Sequence, residues 1–555
     1  MEASNPTIDH PTREDVDQKP LHVEPTEDTS NDGEKPEYAT GLRLFLIMFT
    51  LNFSGLLTAL EIGIISTAIP AITDDFHSLD DVGWYGSATF MVTAATSALW
   101  GKVYKYCNVR YVFLSTIVIF LVGSIVAASA QSSVAVIVGR AVQGFGIIGT
   151  MNGSIIVINY VSHPQKHPML IGIWTSVFMI STILGPIVGG ALTSGTSWRW
   201  CFWINLPLGG PILALLIVFL KVPKHIKPTP ATWSEIILQL DLPGFSLLLA
   251  SLVCFALALQ WGGQTKSWSN GSVVATLVVW ILLVLIFLIV EKLQDTRAMV
   301  LFRLVKPRTT WANVLWSFVA NVALYQVIFY LPIYFQSIHG QSAIISGVNS
   351  LPFLAFFAAG AMLGGTLVGK TRYSQPYQLT SAVLMTAGMA ILYTLDLNSS
   401  KARYIGGEVL FGFGVGLGNQ IPIMVVQGLS KPEDVPSSTG IMFMTQTSSA
   451  VLFIVIAQSI FANRMLQTII ATAPNLNAAQ VIGTGASDIR NAYHGQDLSA
   501  VLNAYMTGIK DVFICSLVAS GLAVLLALLI PLQKLPDHKS DDDQSEGTEE
   551  KALSN

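Results

Sequence analysis

Long apolar segments alternate with short polar segments along almost the whole chain. Each apolar segment holds about 20 residues, which is the length that an α-helix needs to cross a bilayer. The sequence therefore predicts an all-α membrane protein with fourteen transmembrane helices, and the even number places both chain ends on one side. The predicted spans are 44–69, 82–101, 111–130, 134–158, 169–193, 201–220, 242–261, 272–290, 310–334, 346–369, 378–395, 404–428, 437–461 and 511–531.

The order of the spans predicts a 6 + 2 + 6 arrangement, in which two additional helices separate two six-helix bundles. The loops after the second and the tenth span resemble each other, since both contain a Gly-Lys pair, at 101–102 and 369–370. Parallel repeats of this kind build transporters from two pseudo-symmetric bundles around a central cavity. The sequence predicts a disordered acidic cytoplasmic tail at each end of the chain, at 1–40 and at 535–555. Between the tails it predicts an N-terminal six-helix bundle (41–221), two additional helices with basic cytoplasmic loops (222–308) and a C-terminal six-helix bundle (309–534). The C-terminal bundle includes a long outer loop (462–510), which holds a surface helix at 498–505.

Composition and charge agree with this topology and exclude a soluble globular domain. Of the 555 residues, 52% are hydrophobic and 12% are charged, and the mean hydropathy is +0.57. Fifteen Lys and Arg residues lie in the loops predicted to be cytoplasmic and seven in the outer loops, so the positive-inside rule places both termini in the cytosol. The N-x-[ST] acceptors Asn270 and Asn398 fall in predicted outer loops and are candidate glycosylation sites.

Three ionisable residues lie deep inside predicted spans, where a charge is costly enough to suggest a function. They are Glu61 in the first span, Arg140 in the fourth and Glu408 in the twelfth. At 1.5 Å per residue, Glu61 and Arg140 lie about 12 Å and about 9 Å below the outer boundary. We hypothesise that Glu61 binds a proton and that Arg140 tunes it, and the alternative is a static ion pair. Glu408 is expected to reach water and to be structural.

The fifth span carries a series of small residues that a lipid-facing helix would not need. Small residues on one stripe let a neighbouring backbone come close. Pro186 removes a backbone donor and weakens the helix at its level. The pattern predicts a hinge or gate, and the alternative is plain helix packing. The residues are Gly172, Ser181, Gly185, Pro186, Gly189 and Gly190.

Aromatic and amide side chains in the last third of the chain suit a bulky, largely apolar ligand. Asn321 and Tyr325 lie one helical turn apart in the ninth span. The alternative is that the aromatic residues gather at the membrane interface for lipid reasons alone. The candidate residues of a substrate cavity are Asn321, Tyr325, Gln326, Asn419, Gln420 and Gln446.

The sequence indicates that the protein is not an enzyme, since it shows no nucleophile motif, nucleotide loop or metal cluster. Its four cysteines are scattered without C-x-x-C spacing, so neither a disulfide framework nor a metal site is expected. We therefore expect no cofactor, no metal and no nucleic acid. The expected partners are the lipid bilayer, protons and a small hydrophobic substrate, and the expected state is a monomer.

Several motifs between residues 44 and 531 resemble those of the fourteen-span drug:proton antiporters of the major facilitator superfamily, especially fungal toxin and multidrug exporters. The fifth-span series is similar to the antiporter signature G-x8-G-x3-G-P-x2-G-G, with Ser181 at the second glycine. Residues 139–144, G-R-A-V-Q-G, match the R-x-x-Q-G motif that the family associates with proton transfer, which adds Gln143 to the proton-coupling residues. Lys105 stands where the superfamily has an acidic loop residue, which leaves the charge latch assigned to that residue open.

The resemblance implies an alternating-access antiporter that exports hydrophobic toxins, drugs or secondary metabolites in exchange for protons. The expected location is the plasma membrane, with the vacuolar membrane as the alternative. Two other functions stay open. A siderophore or small-solute importer of the same superfamily would load its ligand from outside. A non-transporting membrane sensor would depend on the acidic tails for its signal.

Overall fold

A computed structural model describes residues 38–77, 81–223, 228–477, 481 and 489–535. This part of the chain is helical apart from two isolated β-bridges. The predicted acidic tails lie outside the described residues, except for residues 38–40 and 535. The α-helices are α1 (Gly41–Phe76), α2 (Val82–Tyr106), α3 (Val109–Ala128), α4 (Ser133–Val161), α5 (His167–Gly195), α6 (Trp200–Trp203), α7 (Asn205–Phe219), α8 (Trp233–Gln239), α9 (Leu242–Trp261), α10 (Gly271–Gln294), α11 (Phe302–Val305), α12 (Arg308–Ser337), α13 (Ala343–Asn349), α14 (Leu351–Thr371), α15 (Gln375–Tyr393), α16 (Lys401–Asn419), α17 (Ile421–Leu429), α18 (Val435–Thr472), α19 (Ile489–Ala492) and α20 (Gly495–Leu529).

Twelve helical stretches within the described ranges are long and apolar enough to cross a membrane. They do not include α2 and α15, which occupy the second and eleventh predicted spans, so the count of fourteen stays a prediction. Helix α2 is less apolar because it packs between other helices rather than against lipid. Its Thr89, Thr93 and Ser97 side chains are all buried in protein.

Both ends of the described chain lie on the same face of the molecule. The Ala39 N–H donates to the Val161 carbonyl at the end of α4, and the Leu535 N–H donates to the Arg372 carbonyl after α14, both at 2.8 Å. A side chain on Gly365 of α14 would overlap the backbone of the first turn of α5, so these helix ends share one level. We call this face the terminal face and the opposite one the distal face.

The N-terminal helices α1–α7 and the C-terminal helices α12–α20 have their two most extensive contacts between α2 and α18 and between α5 and α14. Glycines let these backbones approach closely. A Cβ atom on Gly101 of α2 would lie 2.6 Å from the Pro436 carbonyl oxygen of α18. One on Gly172 of α5 would lie 2.7 Å from the Ala361 carbonyl oxygen of α14. The two halves are therefore in tight contact near the terminal face.

The additional helices α9 and α10 lie between the two halves in sequence, and α9 covers the contact of α2 with α18 in space. Leu252 and Phe255 of α9 form one buried apolar cluster with Met91 of α2 and Val451 of α18. At the terminal face, the buried Lys102 Nζ of α2 donates to the backbone carbonyl of Gln239, the last residue of α8, at 2.7 Å and to that of Arg297, after α10, at 2.6 Å. This polar anchor fixes the additional helices to the N-terminal half.

Several predicted boundaries are wrong. The sixth span is two helices that meet at Ile204, and the twelfth is interrupted at Gln420. The predicted outer loop 462–510 is mostly helix, because α18 runs on to Thr472 and α20 begins at Gly495. Residues 498–505 form the first turns of α20 rather than a separate surface helix. Their apolar positions continue the core, as the burial of Val501 and Ala504 shows.

Candidate functional site

A buried ion pair joins α1 and α4 in the N-terminal half. Arg140 Nη1 donates to Glu61 Oε1 at 2.7 Å, and both side chains are 0% exposed. Helix α1 runs toward the distal face, whereas α4 begins there, so the two side chains reach the same depth from opposite directions. The structure thus brings these two candidate residues into direct contact.

A side chain of α7 and a backbone carbonyl of α2 extend this pair into a network, together with Gln143 of α4 itself. Asn205 Nδ2 of α7 donates to Glu61 Oε2 at 2.7 Å. Arg140 Nε donates to the Tyr85 carbonyl oxygen of α2 at 3.0 Å, and Arg140 Nη1 reaches Gln143 Oε1 at 3.5 Å. Two donors therefore hold the Glu61 carboxyl, and the guanidinium is oriented by three helices.

Ser124 of α3 closes the network. Its Oγ accepts from Gln143 Nε2 at 2.9 Å and from Asn205 Nδ2 at 3.1 Å. Neither Ser124 nor Asn205 was among the predicted site residues. The signal for Asn205 was an amide within the apolar sixth span, whereas serines are too common in spans for Ser124 to stand out.

The network can hold the Glu61 carboxyl in either protonation state. In the ionised state, Oε2 accepts from Asn205 Nδ2. A protonated carboxyl becomes a donor and needs an acceptor. Asn205 Oδ1 is buried and has no partner in the described structure, so a half-turn of the amide would present that acceptor. Proton binding would also weaken the attraction to Arg140, which is strong in a medium of low dielectric.

The fifth-span glycines face different neighbours rather than one, which corrects the prediction of a single stripe. Gly172 faces α14, whereas Gly185 and Gly189 face α1, where a Cβ atom on Gly185 would lie 2.6 Å from the Gly63 Cα. A Cβ atom on Gly190 would meet no atom within 4 Å. The reason is geometric, since thirteen residues at 3.6 per turn place position 172 on the other side of the helix from 185.

Pro186 lies inside α5, which continues through it to Gly195. Because proline has no N–H, the carbonyl of Thr182 four residues earlier loses its helical donor. That carbonyl points at Gly63 of α1, where any Cβ atom would overlap it. Gly63 is thus the residue that lets α1 pack against the proline site. Ser181 is buried, and its Oγ donates to its own helix.

The predicted cavity residues are distributed over several contacts of the C-terminal half. Asn321 Nδ2 donates to the Ser317 carbonyl of its own helix at 2.8 Å, and Gln446 Nε2 of α18 donates to Ser317 Oγ at 3.3 Å. These two amides therefore meet at Ser317. Gln326 lies elsewhere, between α12 and α20, where Ser516 Oγ donates to its Oε1.

Asn419 and Gln420 lie where α16 passes into α17. Each has a buried side-chain carbonyl oxygen without a partner in the described structure. Tyr325 is half-buried on α12. The Asn419 and Gln420 side chains therefore hold two buried acceptors that no described group uses.

Glu408 of α16 does not reach water, contrary to the expectation from sequence. Its side chain is 0% exposed, and neither carboxyl oxygen has a hydrogen-bond partner in the described structure. Helix α16 begins at Lys401, three residues before the predicted span, and α14 and α15 pack along it. The carboxyl is therefore deeper than the apolar segment alone suggested.

Asp434, at the start of α18, holds a charge cluster on the terminal face. Lys105 Nζ of α2 donates to its Oδ1 at 2.8 Å, and Arg303 donates to both carboxylate oxygens at 2.7 and 2.8 Å. The hydrogen bonds to Asp434 raise the pKa of the Arg303 guanidinium above its usual value. Lys105 thus has its acidic partner in the other half of the protein.

The two predicted glycosylation acceptors, Asn270 and Asn398, are exposed and lie on the distal side. Asn270 also caps α10, because its Oδ1 accepts from the Ser272 N–H at 2.9 Å. Within the described ranges no group of three His, Cys, Asp or Glu side chains could hold a metal ion.

Residues 51–454 match the family model described as "Major Facilitator Superfamily". The chain belongs to this superfamily. The dehydrocurvularin exporter of Alternaria cinerariae is 64% identical over 91% of this chain and 87% of its own length. The dehydrocurvularin exporter of Aspergillus terreus is 62% identical over 93% and 91%, and the efflux pump notK of Aspergillus sp. (strain MF297-2) is 60% identical over 91% and 89%. The family prediction is confirmed.

Solved structures share the fold at low sequence identity. The human organic anion transporter MFSD10 is 13% identical, with a TM-score of 0.55 over 89% of this chain and 100% of that one. The proton:xylose symporter XylE gives the same identity and TM-score over 89% and 97%. The superfamily match and the relatives named as exporters identify the chain as a multi-pass membrane transporter rather than an enzyme, as the sequence predicted, and the solved structures agree with its helical fold over the described residues.

Proposed function

We propose that this protein is a proton-coupled antiporter that exports a hydrophobic secondary metabolite by alternating access. The main observation behind this proposal is the buried Glu61–Arg140 pair, because the groups around it can form hydrogen bonds with the Glu61 carboxyl with or without its proton. Three relatives at 60–64% identity are named as exporters or efflux pumps, which supports export as the direction. Two of those names specify dehydrocurvularin, so we take it as the probe substrate.

In the proposed cycle, Glu61 takes up a proton when the molecule is open toward the distal face. Loss of the negative charge loosens the contact with Arg140 and favours release of the cargo. When the molecule opens toward the terminal face, the carboxyl ionises again and fresh cargo binds. Each proton that moves inward contributes about 2.3 kcal/mol per 100 mV of membrane potential.

The contact of α1 with α5 would transmit this change. Glu61 and Gly63 lie on the same helix, and Gly63 fits against the Thr182 carbonyl that Pro186 leaves without a donor. A helix with one missing hydrogen bond bends more easily at that level. Movement of α5 at Pro186 therefore shifts the part of α1 that carries the proton-binding carboxyl.

The cargo surface is proposed in the C-terminal half, around Asn321, Tyr325, Gln446, Asn419 and Gln420. The unpartnered carbonyl oxygens of Asn419 and Gln420 would accept from hydroxyl groups of the cargo. Apolar side chains around them would hold its hydrocarbon part, which is the usual composition of a small-molecule pocket. Gln326 is left out of this surface because its side-chain oxygen is bonded to Ser516.

The proposed topology has fourteen spans, with α2 and α15 counted among them, and both chain ends in the cytosol. The terminal face would then be cytoplasmic, in keeping with the excess of Lys and Arg in its loops. The distal face would carry glycans at Asn270 and Asn398. We propose a monomer in the plasma membrane, with the vacuolar membrane as the alternative.

The test uses purified protein in liposomes with labelled dehydrocurvularin. Acid-inside vesicles are expected to accumulate the compound, because protons that leave drive it inward. Glu61→Gln is expected to abolish this accumulation and to retain exchange of labelled for unlabelled compound, which needs no net proton movement. Glu61→Asp, which keeps a carboxyl, is the control and should still accumulate the compound.

Three results would contradict the proposal. Gradient-driven accumulation by Glu61→Gln at the wild-type rate would reject the role of Glu61. Wild-type accumulation that does not respond to the pH gradient would reject proton coupling. Accumulation in alkaline-inside instead of acid-inside vesicles would indicate a symporter, the expected behaviour of an importer.

A further inference from the structure

A second copy of the Arg140 segment occurs in the C-terminal half with a different charge. Residues 139–146 read G-R-A-V-Q-G-F-G, and residues 407–414 read G-E-V-L-F-G-F-G. The two segments share three glycines and a phenylalanine at the same positions. Arg140 and Glu408 occupy the same place, seven residues after the first residue of α4 and of α16, respectively.

The packing of the two segments is also equivalent. A Cβ atom on Gly144 would press on a carbonyl of α2, and one on Gly412 would press on a carbonyl of α14. A Cβ atom on Gly146 would lie 2.5 Å from a backbone nitrogen of α3, and one on Gly414 would lie 2.6 Å from a backbone nitrogen of α15. Helices α2, α3 and α4 therefore correspond to α14, α15 and α16, and Glu408 is the counterpart of Arg140.

The two charges differ in their partners. Arg140 has the Glu61 carboxylate of α1, whereas α12 has no Lys, Arg, Asp or Glu between residues 309 and 337. Helix α15 has none either, and the lysine of α14 lies at its opposite end. Both Glu408 oxygens are buried without a partner in the described structure. An unpaired carboxylate in such a place costs several kcal/mol, so the neutral acid is the form that this conformation favours.

Polar groups lie on the distal side of Glu408. The Phe353 backbone amide is in the first turn of α14, which packs along α16, and Tyr404 lies one turn before Glu408 on α16 itself. The Tyr404 ring lies 6.2 Å from the ring of His339, whose Nε2 is 3.1 Å from Tyr334 Oη. His339 is half-buried in the loop after α12, and burial lowers the pKa of its imidazole. Titratable groups are therefore present between the distal face and the turn of α16 that precedes Glu408.

We propose that Glu408 is a second proton-binding site of the transport cycle, loaded from the distal face past His339 and Tyr404. The inference rests on the proposed proton antiport and adds one proton to it, a proton that moves only in cycles in which Glu61 also binds one, so that Glu61→Gln still abolishes accumulation. The carboxyl carries a proton in the conformation seen here. Separation of α16 from α14 admits water, and the proton then leaves to water on the terminal side.

The first test measures protonation directly, without transport. Infrared spectra of purified protein are expected to show a protonated-carboxyl band that Glu408→Gln removes. Glu433→Gln, which neutralises an exposed acid, should leave the band unchanged. A structural role in which an ionised Glu408 caps α14 predicts no such band, and its absence overturns the proposal.

The second test counts protons. In vesicles that are acid-inside by one pH unit, with the potential clamped to zero, two protons per cargo give an equilibrium ratio of about 100-fold and one proton gives about 10-fold. Wild type is expected near the higher ratio and Glu408→Gln near the lower one. Equal ratios overturn the proposal. If the Gln variant does not fold, Glu408→Asp should shift the band and keep the higher ratio, and loss of the higher ratio in that variant overturns it.

The two proposals fail in different ways. A wild-type ratio that does not depend on the pH gradient refutes proton antiport and, with it, a transport role for Glu408, even if the infrared band is present. A wild-type ratio near 10-fold that Glu61→Gln abolishes and Glu408→Gln leaves unchanged refutes the second site alone.

Discussion

Removing both members of the Glu61–Arg140 pair should destabilise the protein less than removing one. The variants are Glu61→Gln, Arg140→Gln and the double variant. Each single change leaves a fully buried charge without its counter-charge, which typically costs about 3–5 kcal/mol. Replacing both charges by amides leaves no buried charge unpaired, although the shorter glutamine side chain at position 140 no longer reaches position 61, and exchanging a buried ion pair for neutral groups is often nearly neutral.

The network around the pair sets the size of this effect. After Glu61→Gln, Arg140 keeps its bonds to the Tyr85 carbonyl and to Gln143. We therefore expect the free energy of unfolding to fall by about 3 kcal/mol in each single variant, the lower end of that range. Independent losses would sum to about 6 kcal/mol, and a double variant that loses no more than either single variant has a coupling energy of at least about 3 kcal/mol.

The assay is reversible unfolding in mixed micelles of rising sodium dodecyl sulfate content, followed by tryptophan fluorescence. Glu433→Gln on the surface is the control and should change the free energy of unfolding by less than about 0.5 kcal/mol. Additive losses in the double variant would refute the reasoning. Additive losses would mean that removing one charge does not change the cost of removing the other, so the ion pair would have no coupling energy in the folded protein.

Three further predictions concern other parts of the molecule. Gly185→Ala should lower the free energy of unfolding by about 1–3 kcal/mol through overpacking against α1, whereas Gly190→Ala, which meets open space, should have little effect in the same assay. Asp434→Asn should release its two cations, Lys105 and Arg303. In a variant without other cysteines, it should speed maleimide labelling of Cys107 by about tenfold, a modest change because solvent screens exposed Arg303, and an unchanged rate would mean that the Asp434 charge cluster does not hold the terminal face closed. Burial lowers the pKa of the His339 imidazole, so the unfolded chain binds a proton there before the folded protein does as the pH falls below about 6.5. The free energy of unfolding therefore decreases in that range, and His339→Gln should show a smaller drop in unfolding midpoint between pH 7.5 and pH 5.5 than wild type.

The helical fold and the level of the ion pair could be predicted because they depend on distance along the chain. Apolar length identifies a span, and a constant rise per residue sets the depth of Glu61 and Arg140. Apolar length is less decisive where protein replaces lipid around a helix, as for α2, which occupies the second predicted span but is not among the twelve described helical stretches long and apolar enough to cross a membrane. It fails where a helix continues past the apolar segment, as α18 does to Thr472.

The partners of the site could not be predicted because they depend on which way each helix face points. A helix that is apolar all round has no periodic pattern to indicate its direction. The sequence therefore could not show that Asn205 faces Glu61, that Gly172 faces away from α1, or that Glu408 is covered by α14. These facts follow from how neighbouring helices pack, which the composition of a single span does not contain.

The contacts on the terminal face differ in what they require to open. The glycine contacts of α2 with α18 and of α5 with α14 hold no ion pair, so they can separate without leaving a charge unpaired. Asp434 is different, since it is buried and holds Lys105 of α2 together with Arg303 beside the additional helices. Opening this face must therefore either hydrate Asp434 or move both cations with it. Because Arg303 precedes α12 by only a few residues, the additional helices and the C-terminal half would take part in the same opening step.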